Sequence, residues 1–312
     1  MVTPPPPGGT RSSRMTGALP INVVDGSGVD PYQAKVEATY ADPPEAWRAV
    51  LGDSLLFQFG LYDDRAGAGN SLQDVGVRYF ERQLELAGPC SPGRILDLGC
   101  GWGHETRLLA ERFPGCPRVD AVNVSKVQLD HCAAYLARYG LADRVHLYRC
   151  NARDVGLLPE PGLPYDLVAV RGVITHFPHG LFETSMRALA ARVADGGTVV
   201  VSDTLYTGDP AAYRSDIPDT VDRIACGHRK TPAYFTGVLE DSGFAVEDVR
   251  VLPSNAEVIR WLLEVRLNIE RAFPDGVAGA LEELRVAAEN LPRSLARNDV
   301  SVYSIIARRR VR

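Results

Sequence analysis

Cysteine is sparse in this chain: six residues in 312, at positions 90, 100, 116, 132, 150 and 226, with no C-x-x-C pair among them. No spacing suits a metal ligand set, so zinc modules and disulfide-stapled folds are excluded, no metal is expected, and free thiols of a reducing cytoplasm are expected instead. No apolar run approaches the roughly 20 residues of a membrane-spanning helix. Pro4 to Pro7 stand where a secretory signal needs an apolar core, so no signal is expected there either. Basic stripes are missing too. The net charge is −5, and the one arginine cluster (Arg308, Arg309, Arg310 and Arg312) reads as a solvated tail. Neither nucleic acid nor a membrane surface is therefore expected as a partner. No internal repeat is visible.

The composition, 45% apolar and 23% charged, suits a folded unit with a full core. Residues 1–29 are rich in Pro, Gly and Ser and are expected to form a disordered tail. Residues 30–89 read as a helical cap, with Asp30 before Pro31 as a helix start and Ser71-x-x-Asp74 as a capping box. Between those helices lies an apolar run, Ser54 to Tyr62, followed by an Arg65–Asn70 loop. The core unit is expected over 90–312. Strands are expected near 94–98, 118–123, 145–149, 165–170, 197–202, 244–252 and 301–307, and helices at 102–113, 125–139, 180–193 and 231–241. Helical insertions are expected near 205–230 and 253–298. Such alternation means βαβ units around a parallel sheet, with ligands beyond the carboxyl ends of the strands.

The run from Arg94 to His104, R-I-L-D-L-G-C-G-W-G-H, is the most informative segment. It reads as a short apolar strand carrying Asp97, a turn at Gly99, Gly101 and Gly103, then a helix start. Glycines there permit positive φ and let the backbone close on a ligand that meets free N–H groups. A glycine loop alone is also found in NAD folds and in ordinary turns. Here the carboxylate lies two residues before the first glycine and the spacing is G-x-G-x-G.

That combination resembles motif I of class I S-adenosylmethionine-dependent methyltransferases. The resemblance covers about residues 90–252 and the last strand. It implies an α/β, Rossmann-like, seven-stranded sheet, with six parallel strands and a final antiparallel one, and S-adenosyl-L-methionine as cofactor. In the family the carboxylate, here Asp97, organises the turn and the methionine ammonium, while Gly99 and Gly101 face the nucleoside. Asn123 stands where relatives place a ribose-binding acid, followed by Ser125-x-x-Gln128. Asn151 and Ala152 occupy the adenine-contacting segment, with Asn151 in place of the usual Asp. On the residues alone, Asn123, Ser125 and Asn151 read equally as caps and turn formers. Their placement after consecutive strands assigns Asn123, Gln128, Asn151 and Ala152 to the cofactor.

The acceptor side follows from two strand ends. His176 lies in Arg171-Gly-Val-Ile-Thr-His-Phe-Pro178, and Asp203 ends Val199-Val-Val-Ser-Asp203. Rebeccamycin-type sugar O-methyltransferases carry a His and an Asp at these matching places, which implies a general base oriented by a carboxylate. Tyr206 and Tyr213 border the same edge; His179 and Asp166 read as loop and strand-start residues. The segment 253–298 is expected as a lid or a dimer face, the latter allowing a homo-oligomer. O-methylation of a small, largely apolar specialised metabolite is the favoured reading. C-methylation of an isoprenoid or alkene, possible with cyclisation, is the alternative from the resemblance to cyclopropane synthases and sterol C-methyltransferases. Their Glu residues are replaced here by Thr175 and Gly172. A third reading, from another class, is a cyclase or binding protein that retains the cofactor without methyl transfer.

Overall fold

The structure is a computed structural model describing residues 17–28, 31–63, 65, 70–213 and 226–311. The expected Asp30 helix start, most of the Arg65–Asn70 loop and much of the expected 205–230 insertion lie outside the described residues.

The strands form where apolar runs recur: β1 (Ile21–Val23), β2 (Ile95–Leu98), β3 (Val119–Asn123), β4 (Val145–Arg149), β5 (Tyr165–Arg171), β6 (Val193–Tyr206), β7 (Phe244–Val251) and β8 (Val300–Arg309). One sheet contains them all, in the order β1-β4-β3-β2-β5-β6-β8-β7. Every pair from β1 to β6 is parallel, and β8 runs antiparallel to both of its neighbours. The seven expected strands and the reversed last one are thus present.

One expectation needs correction. The tail expected to be disordered over 1–29 supplies β1, an eighth strand on the outer edge of β4. Its backbone ladder is reinforced by Asn22 Nδ2, which donates to Leu147 O at 3.2 Å, and by Leu19, buried against the α5 side of the core. Sequence composition around three strand residues dominated by Pro, Gly and Ser hid this element.

Helices cover both faces. They are α1 (Pro31–Thr39), α2 (Pro44–Leu51), α3 (Leu72–Leu86), α4 (His104–Arg112), α5 (Lys126–Arg138), α6 (His179–Ala190), α7 (Pro232–Asp241), α8 (Asn255–Ala272) and α9 (Gly279–Ala296). Strand β2 shows why both faces need cover. Ile95 packs with Phe80 and Leu129 on one side, while Leu96 and Leu98 join Phe182 and Phe235 on the other. A third cluster, with Trp47, Trp261, Leu262 and Leu284, packs α2, α8 and α9 over Val300 and Val302 of β8. Helices α3 and α8 open on capping boxes, Ser71 with Asp74 and Ser254 with Glu257. Around 205–230 the described residues show the end of β6 and a 3₁₀ turn at Pro210–Ala212, and the rest of the helical insertion expected there lies outside the described residues. No helix is long and apolar enough to cross a membrane among the described residues.

Asp166, at the start of β5, accepts from the N–H groups of Gly93 and Arg94 at 2.7 and 3.0 Å. Beside it Arg94 Nη2 and Tyr165 Oη both donate to Asp120 Oδ2, at 2.6 and 2.7 Å. This buried network ties together the amino ends of three strands, leaving their carboxyl ends to open onto a cavity.

Candidate cofactor and acceptor site

A cavity of about 330 Å³ lies at the carboxyl ends of the parallel strands. The loop after β2 forms its floor. Gly99 sits at φ 89° and donates to Val122 O at 2.8 Å. A Cβ on Gly99 would lie 2.2 Å from Val173 Cγ2, so a side chain is excluded both by conformation and by space. Gly101, at φ 51°, differs: its Cβ would meet only Gln128 Nε2 at 3.9 Å. Its bare backbone therefore faces open cavity.

Six of the seven expected cofactor residues, Gly99, Gly101, Asn123, Gln128, Asn151 and Ala152, line this one cavity. Their polar groups also hold one another. Asn123 Nδ2 donates to Gln128 Oε1 at 2.9 Å, and Asn123 Oδ1 accepts from Val124 N at 2.8 Å. Ser125 caps α5 through Gln128 N. Asn151 Nδ2 donates to Gln33 Oε1 at 2.7 Å, bringing α1 over this end of the cavity. Capping and ligand facing are thus compatible for these residues.

Asp97 is the exception. It lies beneath the loop, outside the cavity wall, and accepts from Thr106 Oγ1 at 2.6 Å. Burial pushes its carboxyl up to about 6, with the Thr106 bond pulling the other way. Its contact is with the start of α4, which suits the expected turn-organising role. A carboxylate that does line the cavity near this loop is Glu105, eight residues after Asp97 in the first turn of α4, paired with Arg171 at the end of β5. Burial pushes Glu105 up to about 7, against the pull of Arg171.

His176 and Asp203 line the same cavity, with Tyr206 and Tyr213 beside them. His179 lies outside the wall, packed on Tyr234 at 4.8 Å between ring centroids. The expected pairing of His176 with Asp203 takes a different form. Asp203 Oδ2 accepts from Thr175 N at 3.0 Å and Oδ1 from Thr204 N at 2.8 Å. His176 Nδ1 faces Cys226 Sγ at 3.9 Å, and its ring stands edge-on to Tyr40 at 6.1 Å. Asp203 thereby holds the 3₁₀ turn Ile174–His176 by its backbone. Lys230 grips the same turn from below, donating to Ile174 O at 2.7 Å and to Phe177 O and His228 O. Burial raises Asp203 to about 6 and lowers Lys230 to about 8, and each opposes the other's shift by attraction.

Several wall residues escaped the sequence reasoning. The run Ser54 to Tyr62, between α2 and α3, forms neither helix nor strand, and lays Phe57 and Phe59 on Trp261 at 5.8 and 5.0 Å. Its lack of helical period with alternating aromatics was the available signal. Arg171, Glu105 and Lys230 carry no motif, since their partners lie far away in sequence. Helices α8 and α9 supply Trp261, Leu262, Leu284, Leu291 and Ser294 to the same cavity wall.

The residues present fit an adenosyl-amino-acid cofactor: the bare Gly101 backbone faces the cavity, and two buried wall donors, Arg171 Nη2 and Trp102 Nε1, have no hydrogen-bond partner among the described residues. A family profile described as "Methyltransferase domain" matches residues 72–249, more than half of the chain. The chain belongs to this methyltransferase family. Neighbours of the same fold, a mycolic acid cyclopropane synthase and a geranyl diphosphate C-methyltransferase, were solved with S-adenosylhomocysteine bound. Methyltransferase GfsG of Streptomyces halstedii is 26% identical over 184 residues, covering 59% of this chain and 63% of that protein, so the match spans under two thirds of that relative. Geranyl diphosphate 2-C-methyltransferase of Saccharopolyspora erythraea is 27% identical over 212 residues, covering 64% of this chain and 68% of that one. The fold is shared with the cyclopropane synthase MmaA2 from Mycobacterium tuberculosis, at a TM-score of 0.77 and 14% identity, covering 90% of this chain and 99% of that one.

Proposed function

We propose that the protein transfers a methyl group to a small, largely apolar specialised metabolite, with O-methylation favoured and His176 as general base. The observation carrying this is that His176 and the Gly99–Gly101 loop open onto one cavity. The cofactor supplies an activated methyl group; the chain supplies orientation, a dry wall and a proton acceptor. Gly99, Gly101, Asn123, Gln128, Asn151 and Ala152 hold the nucleoside end. His176 takes the proton of an acceptor hydroxyl, on a turn fixed by Asp203 and Lys230. Asp203 acts as the positioning residue of that turn, rather than as the imidazole's own partner. Phe57, Trp261, Leu262 and Leu284 exclude water around the acceptor.

A second reading rests on the aromatic surfaces of Tyr40, Phe57, Phe59 and Trp261 around the acceptor end. Aromatic faces stabilise a passing carbocation, which supports C-methylation of an isoprenoid or alkene, as the geranyl diphosphate relative's name suggests. Incubation with methyl-labelled cofactor and paired acceptors, phenols or alcohols against isoprenoid alkenes, tests both. Label on oxygen supports the first reading and label on carbon the second. Release of no S-adenosylhomocysteine with either class would overturn both.

A further inference from the structure

Arg171 is the most deeply buried charge on the cavity wall. Its side chain is fully shielded from solvent. Nε donates to Gln83 Oε1 at 2.8 Å, Nη1 pairs with Glu105, and the guanidinium lies 4.5 Å from the Phe80 ring centroid. Gln83 is itself fixed, donating to Val201 O and Ser304 Oγ at 2.9 Å each. The fork is thus held still from three sides, yet Nη2 has no partner among the described residues. A buried charged donor without an acceptor is costly. Arg171 is part of the cavity wall, so a ligand bound there can supply the missing acceptor.

The strand order says which part of a ligand that is. Neighbouring carboxyl ends present Asn151 after β4, Asn123 on β3, Gly99 after β2 and Arg171 on β5. Strands lie about 4.8 Å apart, so Arg171 is two steps, roughly 10 Å, from Asn123 along this line. With the nucleoside at Asn123 and Asn151, the far end of the cofactor beside Arg171 is its amino acid. That end is a zwitterion, and the wall offers both signs: the Arg171 fork and the Glu105 carboxylate.

We propose that Arg171 Nη2 binds the α-carboxylate of the cofactor's amino-acid end, with Glu105 facing the α-ammonium. A planar guanidinium suits a carboxylate, giving charge-assisted hydrogen bonds that are strong when water is excluded. The assignment rests on the cavity being the cofactor site. It moves the charge-reading role from Asp97, which is turned away beneath the loop, to two residues outside the glycine motif.

Three ligands separate the possibilities: S-adenosylhomocysteine, its decarboxylated form, and 5′-methylthioadenosine, which lacks the amino-acid end altogether. On the unaltered protein, calorimetry should show decarboxylated S-adenosylhomocysteine binding about ten- to a hundredfold more weakly than the parent. Arg171→Met should weaken S-adenosylhomocysteine by a similar factor while leaving 5′-methylthioadenosine within about threefold. Equal affinity of the unaltered protein for the parent and decarboxylated ligands would overturn the assignment, and needs no variant to fold. Equal losses for both ligands in Arg171→Met would also overturn it, because a purely structural arginine does not distinguish them. If the unaltered protein binds none of the three, the cavity is not the cofactor site, and the assignment falls with that reading.

Discussion

On the proposed O-methylation, His176 takes the proton of the acceptor hydroxyl, and general-base help is typically worth about 10²–10⁴-fold in rate. Turnover of His176→Ala should fall within that range in steady-state kinetics, with calorimetric affinity for S-adenosylhomocysteine little changed. Full activity with a flat pH profile would sink the O-methylation mechanism and favour the alkene reading. Lys230 gives a second test of the same machinery. It donates to the carbonyls that bracket His176, so Lys230→Met removes the grip on Ile174 O and Phe177 O while keeping most of the apolar stem. The expected outcome is a kcat loss of about tenfold or more with a smaller change in KM, since displacing a base by a fraction of an ångström costs chemistry before binding. Glu105 reports on stability instead. Its folded-state pKa of about 7 lies above the ordinary value of 4.5, so the folded protein holds its proton more tightly than the unfolded chain. That contribution is fully present below about pH 4.5 and is lost as the pH rises through about 7. Glu105→Gln should therefore flatten the decline of the melting temperature between pH 5 and pH 7.5, by scanning calorimetry; an unchanged slope would count against the burial described.

Among the elements, the loop between β2 and α4 carries the sharpest consequence. Gly101→Val puts a branched side chain into open cavity at φ 51°, a conformation β-branched residues avoid. S-adenosylhomocysteine affinity should collapse while circular dichroism remains native-like; binding at unaltered strength would show the loop to be a turn and nothing more. This loop and the strand–helix alternation were legible because both are local: a glycine run and an apolar period need only neighbouring residues. The pairs that complete the site are long-range. Arg171 on β5 meets Glu105 on α4, and Asp203 reaches Thr175 N from the next strand. A pattern of residue types told that His176 and Asp203 share an edge, but not that the carboxylate would spend both oxygens on backbone N–H groups. The edge strand β1 was hidden for a different reason, since three residues carry too little period to stand out from their Pro- and Gly-rich surroundings.

At the scale of the whole molecule, the chain's early part closes the Asn151 end of the cavity. Strand β1 pairs with β4, Ser27 Oγ donates to Asp154 Oδ1 at 2.7 Å, and Gln33 on α1 meets Asn151. A chain beginning at residue 29 loses the strand and the burial of Leu19, worth about 1.5–3 kcal/mol for a fully buried leucine. Its melting temperature should drop by several degrees, and its affinity for S-adenosylhomocysteine should weaken with it. Calorimetry that finds both unchanged would mean the strand is an ornament on the edge.

The opposite end of the cavity is closed by a different device. Helices α8 and α9 leave the sheet after β7 and return at β8, and these strands are hydrogen-bonded partners, with Val251 opposite Tyr303. The excursion therefore starts and finishes at nearly the same point in space, like a handle fixed to a wall at one bracket. Its length is therefore not set by the register of β7 and β8, although its inner face packs in one cluster with Trp102 of the glycine loop and with Val300 and Val302. The part of the cavity wall that Trp261, Leu262, Leu284, Leu291 and Ser294 supply is thus carried by one contiguous stretch of the chain, separate in sequence from the glycine loop.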